Sequence, residues 1–289
     1  MDFKHELPGK PNILQALDRL VPLIYSSSFK HVKPYRASYL GYFPGKIIKV
    51  LLVRDVKNTH ENLGELGRLI IAEDCKILNV VPSSLKDPFI DVCYFLECDS
   101  DAAKRAIEAI EKFRFSKSAT IVDSPLDDLA LIPFFPLIVA DKRAVVMREP
   151  MYRGLFRGFR KRLGIGAAKV FLRLVGIDVG REAYEALSEI VRGLDAVNAI
   201  RVLLTIGQSL GFCYLEELKL EDDTIIASLA ENWEGAAMRN EYDSPQCFFT
   251  KGVIEGYLET ATSERWDAEE VECLAMGSKR CTFRIQRRS

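Results

Sequence analysis

The sequence lacks the features that identify several large classes of protein. Its charges nearly cancel, with 40 Lys and Arg residues against 41 Asp and Glu residues, so it has no general basicity of the kind that favours nucleic-acid binding. Its longest apolar run, Leu129–Ala140, is broken by Pro133 and Pro136 and is shorter than the roughly 20 residues that cross a bilayer. The polar N-terminus is not typical of a signal peptide. We therefore expect a cytoplasmic protein that binds neither membranes nor nucleic acids.

Motifs for common catalytic chemistry are also missing. The three histidines, His5, His31 and His60, all precede residue 127, so the C-terminal part has no Cys–His or Ser–His catalytic pair. No phosphate-binding P-loop, helix-turn-helix or dinucleotide fingerprint is present. These absences favour a role other than catalysis.

The length of 289 residues predicts two domains, and changes in pattern place the boundaries. Residues 1–45 form an arm rich in proline and aromatic residues, in which only Ile13–Leu23 has a helical pattern. This arm either packs on the body or on a second subunit, or is a partly mobile leader. Residues 46–126 and 127–289 then form the two domains, for an α+β chain overall.

Residues 46–126 alternate between strand and helix patterns. Strands are predicted at 48–53, 75–81, 89–97 and 119–122, with a helix at 59–72 and a second helix capped near Asp99. The order βαββαβ is typical of a ferredoxin-like domain.

The segment Asn62-Leu63-Gly64-Glu65-Leu66 and the strand that follows it resemble the ACT domain family. The resemblance implies that Asn62 and Gly64 contribute to a site for a small effector at a dimer interface. That family often has proline where this chain has Leu63. The alternative is that Gly64 and Gly67 only allow the helix to approach the sheet closely.

Residues 127–289 have the pattern of a mixed α/β domain with helices packed on an antiparallel sheet. Helices are predicted at 152–175, 182–194, 196–210 and 245–260, and strands at 212–220, 224–229, 271–275 and 281–285. The first of these helices carries several arginines, including Arg160, and such a stripe is typical of a solvated helix face.

The cysteines near the C-terminus carry the most specific chemistry. Cys273 and Cys281 lie four residues on either side of Gly277, so a hairpin centred there places them opposite each other. With Cys247, three thiolates would repel one another unless a cation such as Zn²⁺ bound them. A fourth ligand could come from Glu269, Glu270 or Glu272, and strand alternation favours Glu269. The alternatives are a disulfide between the opposed pair, or three buried cysteines that act as small apolar residues.

The spacing Cys247-x22-Glu270-x2-Cys273-x7-Cys281 resembles the 4-vinyl reductase domain family, in particular the sensory domains of phenol-responsive transcription activators. The resemblance implies that these four residues hold a structural zinc ion beside a pocket for a hydrophobic molecule. It also implies a sensory or regulatory protein, which we expect to be a homodimer with an unidentified downstream partner. The alternatives are an accessory reductase that acts on a vinyl tetrapyrrole, or a non-catalytic assembly or tethering protein.

Several aromatic and polar residues of this part are candidates to line the pocket. The candidates are Asn198, Tyr214, Ile226, Trp233 and Phe248, with Phe212 and Tyr257 as further possibilities.

Overall fold

The computed structural model describes residues 40–113, 116–122, 124, 126–132, 136–139 and 142–288. The predicted helix Ile13–Leu23 lies outside these residues. Internal contacts divide the chain into two units, one ending at Val145 and the other continuing from Val146. Among the described residues, no helix is both long enough and apolar enough to cross a bilayer.

The first unit combines two helices with several antiparallel strands. Its elements are β1 (Leu40–Tyr42), β2 (Ile48–Lys57), α1 (His60–Ala72), β3 (Lys76–Pro82), β4 (Phe89–Glu97), α2 (Ser100–Glu111), β5 (Ser118–Val122), β6 (Leu129–Leu131), β7 (Ile138–Val139) and β8 (Lys142–Arg143). Strands β2 to β5 form one sheet in the order β3-β4-β2-β5, in which all neighbours are antiparallel. The order of elements predicted for residues 46–126 is therefore observed.

Side-chain capping and apolar burial explain the two helices of this unit. The Thr59 side chain accepts from the backbone N–H of Asn62, and Asp99, as predicted, caps α2. Each cap satisfies backbone donors that a helix N-terminus leaves without partners. Leu66 of α1 and Ile110 of α2 are fully buried in one core with the strands, which holds both helices against the sheet.

The boundary between the units lies later than residue 126. Strand β1 pairs with β6, with Gly41 opposite Ala130, and the N–H of Phe43 donates to the carbonyl of Asp128. Ala130 is buried beside Phe95 in a second small core. This pairing joins the end of the predicted arm and residues 129–131 to the first unit, a long-range contact that composition along the chain does not reveal.

The second unit contains a four-stranded antiparallel sheet and four helices. Its elements are α3 (Glu149–Val191), α4 (Ala196–Ser209), β9 (Tyr214–Glu221), β10 (Thr224–Ala230), α5 (Trp233–Ala236), α6 (Phe248–Thr262), β11 (Trp266–Glu272) and β12 (Cys281–Arg287). The sheet order is β11-β12-β10-β9. The predicted hairpin of β9 and β10 is confirmed, and its turn residues Asp222 and Asp223 both have positive φ angles, as expected for a tight hairpin.

Helix α3 replaces two separate helices predicted at 152–175 and 182–194. Its 43 residues are interrupted once, at Gly164, where φ is 75° and ψ is 160°. Such a backbone conformation is costly for residues with a Cβ atom. The predicted break near residue 180 was wrong because Gly176 and Gly180 lie inside the helix.

These two glycines let α3 and α6 approach until their backbones touch. A Cβ atom on Gly176 would lie 2.3 Å from the carbonyl oxygen of Phe249, and a Cβ atom on Gly252 would lie 2.1 Å from that of Arg173. Gly180 and Gly256 are equally constrained, at 2.3 Å and 2.0 Å from backbone oxygens. The crossing therefore requires glycine on both helices.

Candidate functional site

Four polar side chains from separate elements meet at one end of the second unit. Cys247 lies at the N-terminus of α6, Glu270 on β11, Cys273 just after β11, and Cys281 at the start of β12. One potential ligand atom from each lies within 4.8 Å of all the others. We call these four residues the cysteine cluster.

A bulge in β11 selects Glu270 among the three candidate carboxylates. Glu270 pairs with Phe283 and Glu272 with Thr282, so Val271 is an extra residue in the strand. The extra residue shifts the alternation of side chains and brings Glu270, rather than Glu269, to the side of the cysteines. The simple alternation that favoured Glu269 was therefore wrong.

The other two carboxylates lie elsewhere. Glu269 is exposed. Glu272 accepts from the hydroxyl of Thr282 and pairs with Arg280 at 3.2 Å. The predicted last strand at 271–275 was also wrong in its bounds, because β11 ends at Glu272 and a 3₁₀ turn follows.

The sulfur atoms are close but not bonded. The Cys247 Sγ atom lies 3.7 Å from that of Cys273 and 3.5 Å from that of Cys281, whereas a disulfide requires about 2.05 Å. The alternative of a disulfide is therefore not observed, and all three cysteines are free and buried. Gly235 leaves space for them, since a Cβ atom there would lie 2.8 Å from the Cys281 sulfur.

Burial controls the charges in the cysteine cluster. The Glu270 Oε2 atom accepts from the Cys247 N–H at 2.9 Å, while its Oε1 atom is buried and has no hydrogen-bond partner among the described residues. Burial, reinforced by the negative charge of Cys273, raises the pKa of Glu270 to about 8. Burial also raises the pKa of Cys247 well above its usual value, whereas donation from the thiols of Cys247 and Cys281 lowers that of Cys273.

A buried ion pair lies next to the cysteine cluster. Arg160 donates to Glu234 at 3.2 Å and to the side chain of Gln246 at 3.1 Å, and Glu234 accepts the N–H groups of Phe249 and Thr250 at the start of α6. Both charged side chains are almost completely buried. The solvated face predicted for this arginine was wrong, because helix periodicity shows which residues share a face but not what covers it.

An apolar cavity of about 350 Å³ lies in the same unit. Trp233 forms one wall and packs edge-on against Phe156 at 4.9 Å and Phe249 at 5.8 Å, measured between ring centroids. The residues that line this apolar cavity are Val179, Ala183, Ala186, Leu187, Leu203, Leu204, Ile206, Gly207, Leu210, Phe212, Cys213, Leu229, Asn232, Trp233, Phe249, Thr250, Val253 and Ile254.

The sequence candidates for the pocket divide into two groups. Trp233 and Phe212 line the apolar cavity. Asn198 instead bonds to the capping carboxylate of Asp195, and Phe248 is buried beneath the Arg160 guanidinium. Three further candidates, Tyr214, Ile226 and Tyr257, also lie outside the lining.

Sequence reasoning missed the residues that α6 contributes to the cavity. Phe249, Val253 and Ile254 recur at helical spacing, which is the signal that could have found them. Asn232 and Thr250 carry no such signal, because polar residues that line a cavity do not differ in sequence from surface residues.

Comparison with known proteins gives a family match for part of this unit. The family model of the vinyl-4-reductase domain matches residues 229–287, the stretch from β10 to β12 that contains the cysteine cluster. No curated protein matches the chain.

Several solved structures are similar to about half of the chain. The phenol-responsive sensory domain of the transcription activator PoxR, crystallised with phenol, is 14% identical with a TM-score of 0.45, covering 52% of this chain and 79% of that chain. A vinyl-4-reductase family protein from Methanocaldococcus jannaschii is 19% identical with a TM-score of 0.34, covering 50% and 85%. A trafficking protein particle complex subunit 3 from Naegleria fowleri, covalently bound to palmitic acid, is 14% identical with a TM-score of 0.37, covering 49% and 95%.

Proposed function

We propose that the second unit binds a small apolar molecule in the apolar cavity and that the protein has a sensory or regulatory role. The observation that carries this proposal is the cavity itself, which has the size and apolar lining of a small-molecule site. The vinyl-4-reductase domain match over residues 229–287 supports it. We also propose that the protein acts as a cytoplasmic homodimer, as the sequence predicts.

Two short segments connect the apolar cavity to the rest of the unit. Trp233 lines the cavity and also contacts Tyr152 and Phe156, which belong to the part of α3 that precedes the break at Gly164. A molecule that packs on Trp233 would favour one packing of this part of α3 over another. A ligand shifts a conformational equilibrium to the extent that it binds one state better, so this contact is a route from binding to output.

A bound ligand can be tested by filling the cavity. We expect native mass spectrometry of the full chain, purified from its own host, to detect a retained apolar molecule. Replacing Ala183, which lines the cavity, with phenylalanine should abolish retention, whereas Ala167→Phe on the exposed side of α3 should not. The proposal fails if nothing is retained and if neither naphthalene nor biphenyl changes the tryptophan fluorescence.

We further propose that the cysteine cluster holds a structural Zn²⁺ ion. Tetrahedral coordination with Zn–S bonds of about 2.3 Å separates sulfur atoms by roughly 3.8 Å, close to the observed 3.5 Å and 3.7 Å. A cation would also give the Glu270 Oε1 atom, buried without a partner among the described residues, a favourable interaction. With four protein ligands and no open position, the ion would link the start of α6 to β11 and β12 rather than perform catalysis.

Metal analysis tests the zinc proposal directly. We expect one zinc ion per wild-type chain and none in Cys273→Ser, while Cys98→Ser, which lies outside the cluster, retains the metal. Chelation should lower the melting temperature, because metal binding is coupled to folding. Metal-free wild-type protein with an unchanged melting temperature would contradict a structural role.

The reductase alternative is less compatible with the cavity. A cavity of about 350 Å³ is roughly twice the 150 Å³ that holds one benzene molecule, and this is too small for a macrocycle of four pyrrole rings. A small apolar molecule is therefore favoured as the occupant.

For the first unit we propose an ACT-like, ferredoxin-like domain that binds a polar effector. Asn62 lines a polar cleft of about 440 Å³ with Thr59 and Lys117, whereas Gly64 lies on α1 outside that lining. We expect one of the standard amino acids to raise the melting temperature of wild-type protein, and Asn62→Ala to remove the effect. Gly64→Ala is the matched control, and equal responses of all three proteins would contradict the proposal.

A further inference from the structure

Asn232 and Thr250 give the apolar cavity a polar end. Apart from the Trp233 ring nitrogen and the Cys213 thiol, they bring the hydrogen-bonding side chains to the lining among the described residues. Asn232 is only 1% exposed. It precedes α5 as the N-cap residue but makes no side-chain capping bond, so its amide group is not needed to begin that helix.

The hydrogen bonds at this end cannot all form at once. The Thr250 hydroxyl lies 3.2 Å from the Glu234 Oε2 atom, 3.4 Å from the Asn232 Oδ1 atom and 3.4 Å from its Nδ2 atom. A hydroxyl has one proton, and a carboxylate paired with Arg160 can only accept. If Thr250 donates to Glu234, it can accept from the Asn232 amide but cannot donate to its carbonyl.

This leaves Asn232 with an unpaired carbonyl and one unpaired N–H in an apolar wall. Buried polar groups without partners are rare and destabilising. We propose, on the basis of the proposed function, that the ligand carries an uncharged group that both donates to and accepts from Asn232, such as a hydroxyl or a carboxamide. The remainder of the ligand is apolar.

Other head groups fit this end less well. A carboxylate would meet the negative charge of Glu234 near Thr250, and the nearby cation, Arg160, is already bonded to Glu234, Gln246 and the carbonyl of Phe156. An ammonium group would place an unpaired charge in an apolar cavity, which is strongly unfavourable. An ether or a ketone accepts but does not donate, and so would leave the Asn232 carbonyl without a partner.

The volume limits the size of suitable probes. By comparison with the 150 Å³ cavity that holds the six carbon atoms of benzene, about 350 Å³ corresponds to roughly 14 non-hydrogen atoms. Biphenyl and its 4-hydroxy, 4-carboxamide and 4-carboxylate derivatives have this size and differ only in the head group. Naphthalene, 2-naphthol and 2-naphthoate form a smaller series for the same comparison.

The test measures the affinity of the full chain for each probe by quenching of tryptophan fluorescence. We expect wild-type protein to bind 4-phenylphenol and biphenyl-4-carboxamide about tenfold more tightly than biphenyl, since a net hydrogen bond contributes about 1 kcal/mol. Asn232→Leu, which has a similar volume, should bind biphenyl at least as well and lose the preference. Thr250→Val should keep the preference, because the Asn232 amide remains.

The outcomes separate this inference from the proposed function. Equal binding of biphenyl and its hydroxyl derivative by wild-type protein would overturn the inference, as would an unchanged preference in Asn232→Leu or tighter binding of the carboxylates. Apolar binding itself would stand in each case. If Asn232→Leu does not fold, the wild-type ranking of both series still decides. If no probe of either series binds, the proposed function fails as well.

Discussion

The glycine crossing between α3 and α6 predicts an unusually damaging substitution. In Gly252→Ala, the new Cβ atom would lie 2.1 Å from the Arg173 carbonyl oxygen and 2.9 Å from the Ile177 nitrogen. Neither backbone atom can rotate away as a side chain could, so the two helices must separate by about 1 Å to restore an ordinary contact distance. Overpacking costs about 1–3 kcal/mol or more, and the loss of packing along both helices adds to it.

The net loss can be estimated and compared with a control. Alanine favours a helix over glycine by about 1 kcal/mol, which offsets part of the clash, so we expect a net destabilisation of about 3 kcal/mol. For a unit of this size that lowers the melting temperature by roughly 6–12 °C. Gly154→Ala is the matched control, because it lies in α3 with open space around it and should be neutral or stabilise by up to about 1 kcal/mol.

Tryptophan fluorescence is a suitable assay, because the sequence has two tryptophans and both, Trp233 and Trp266, lie in the second unit. Thermal unfolding followed in this way reports on that unit. If Gly252→Ala melts at or above the wild-type temperature, the helices are not in backbone contact and the reasoning is refuted.

Other predictions concern the charged groups. Zn²⁺ binding to the metal-free cysteine cluster at pH 7 should release about three protons, because three of its four groups have pKa values raised above 7; affinity should therefore rise with pH, and an indicator dye that detects one proton or fewer would contradict this. Arg160→Met should destabilise the second unit by about 3–5 kcal/mol by leaving Glu234 buried without its partner, and adding Glu234→Gln should recover part of the loss in urea unfolding. Cys213, which lines the cavity, should react with N-ethylmaleimide more slowly when 4-phenylphenol is bound, whereas the rate for Cys98 should not change.

Local signals in the sequence were sufficient for the helix ends and turns. The caps at Asp99 and Asp195 and the turn at Asp222 and Asp223 depend on neighbouring residues only, and each was predicted. The spacing of the cysteines likewise brought Cys247 to the pair formed by Cys273 and Cys281.

Long-range packing determined what the sequence did not reveal. Gly176 and Gly180 suggest a break when α3 is considered alone, because glycine weakens an isolated helix. They are helical here because α6 presents Gly252 and Gly256 at the same spacing. The bulge at Val271 and the burial of Arg160 also depend on partners that are distant in the sequence.

The backbone contact between α3 and α6 has a consequence for how the cavity could change in size. Two of its walls come from these helices, whose separation is set by main-chain atoms and cannot adjust to a larger occupant. Helix α4 contributes Leu203, Leu204, Ile206 and Leu210, side chains whose bulk can vary without touching the crossing. Selection for longer or shorter ligands would therefore act on α4, while the glycine pairs stay constant across relatives of different specificity.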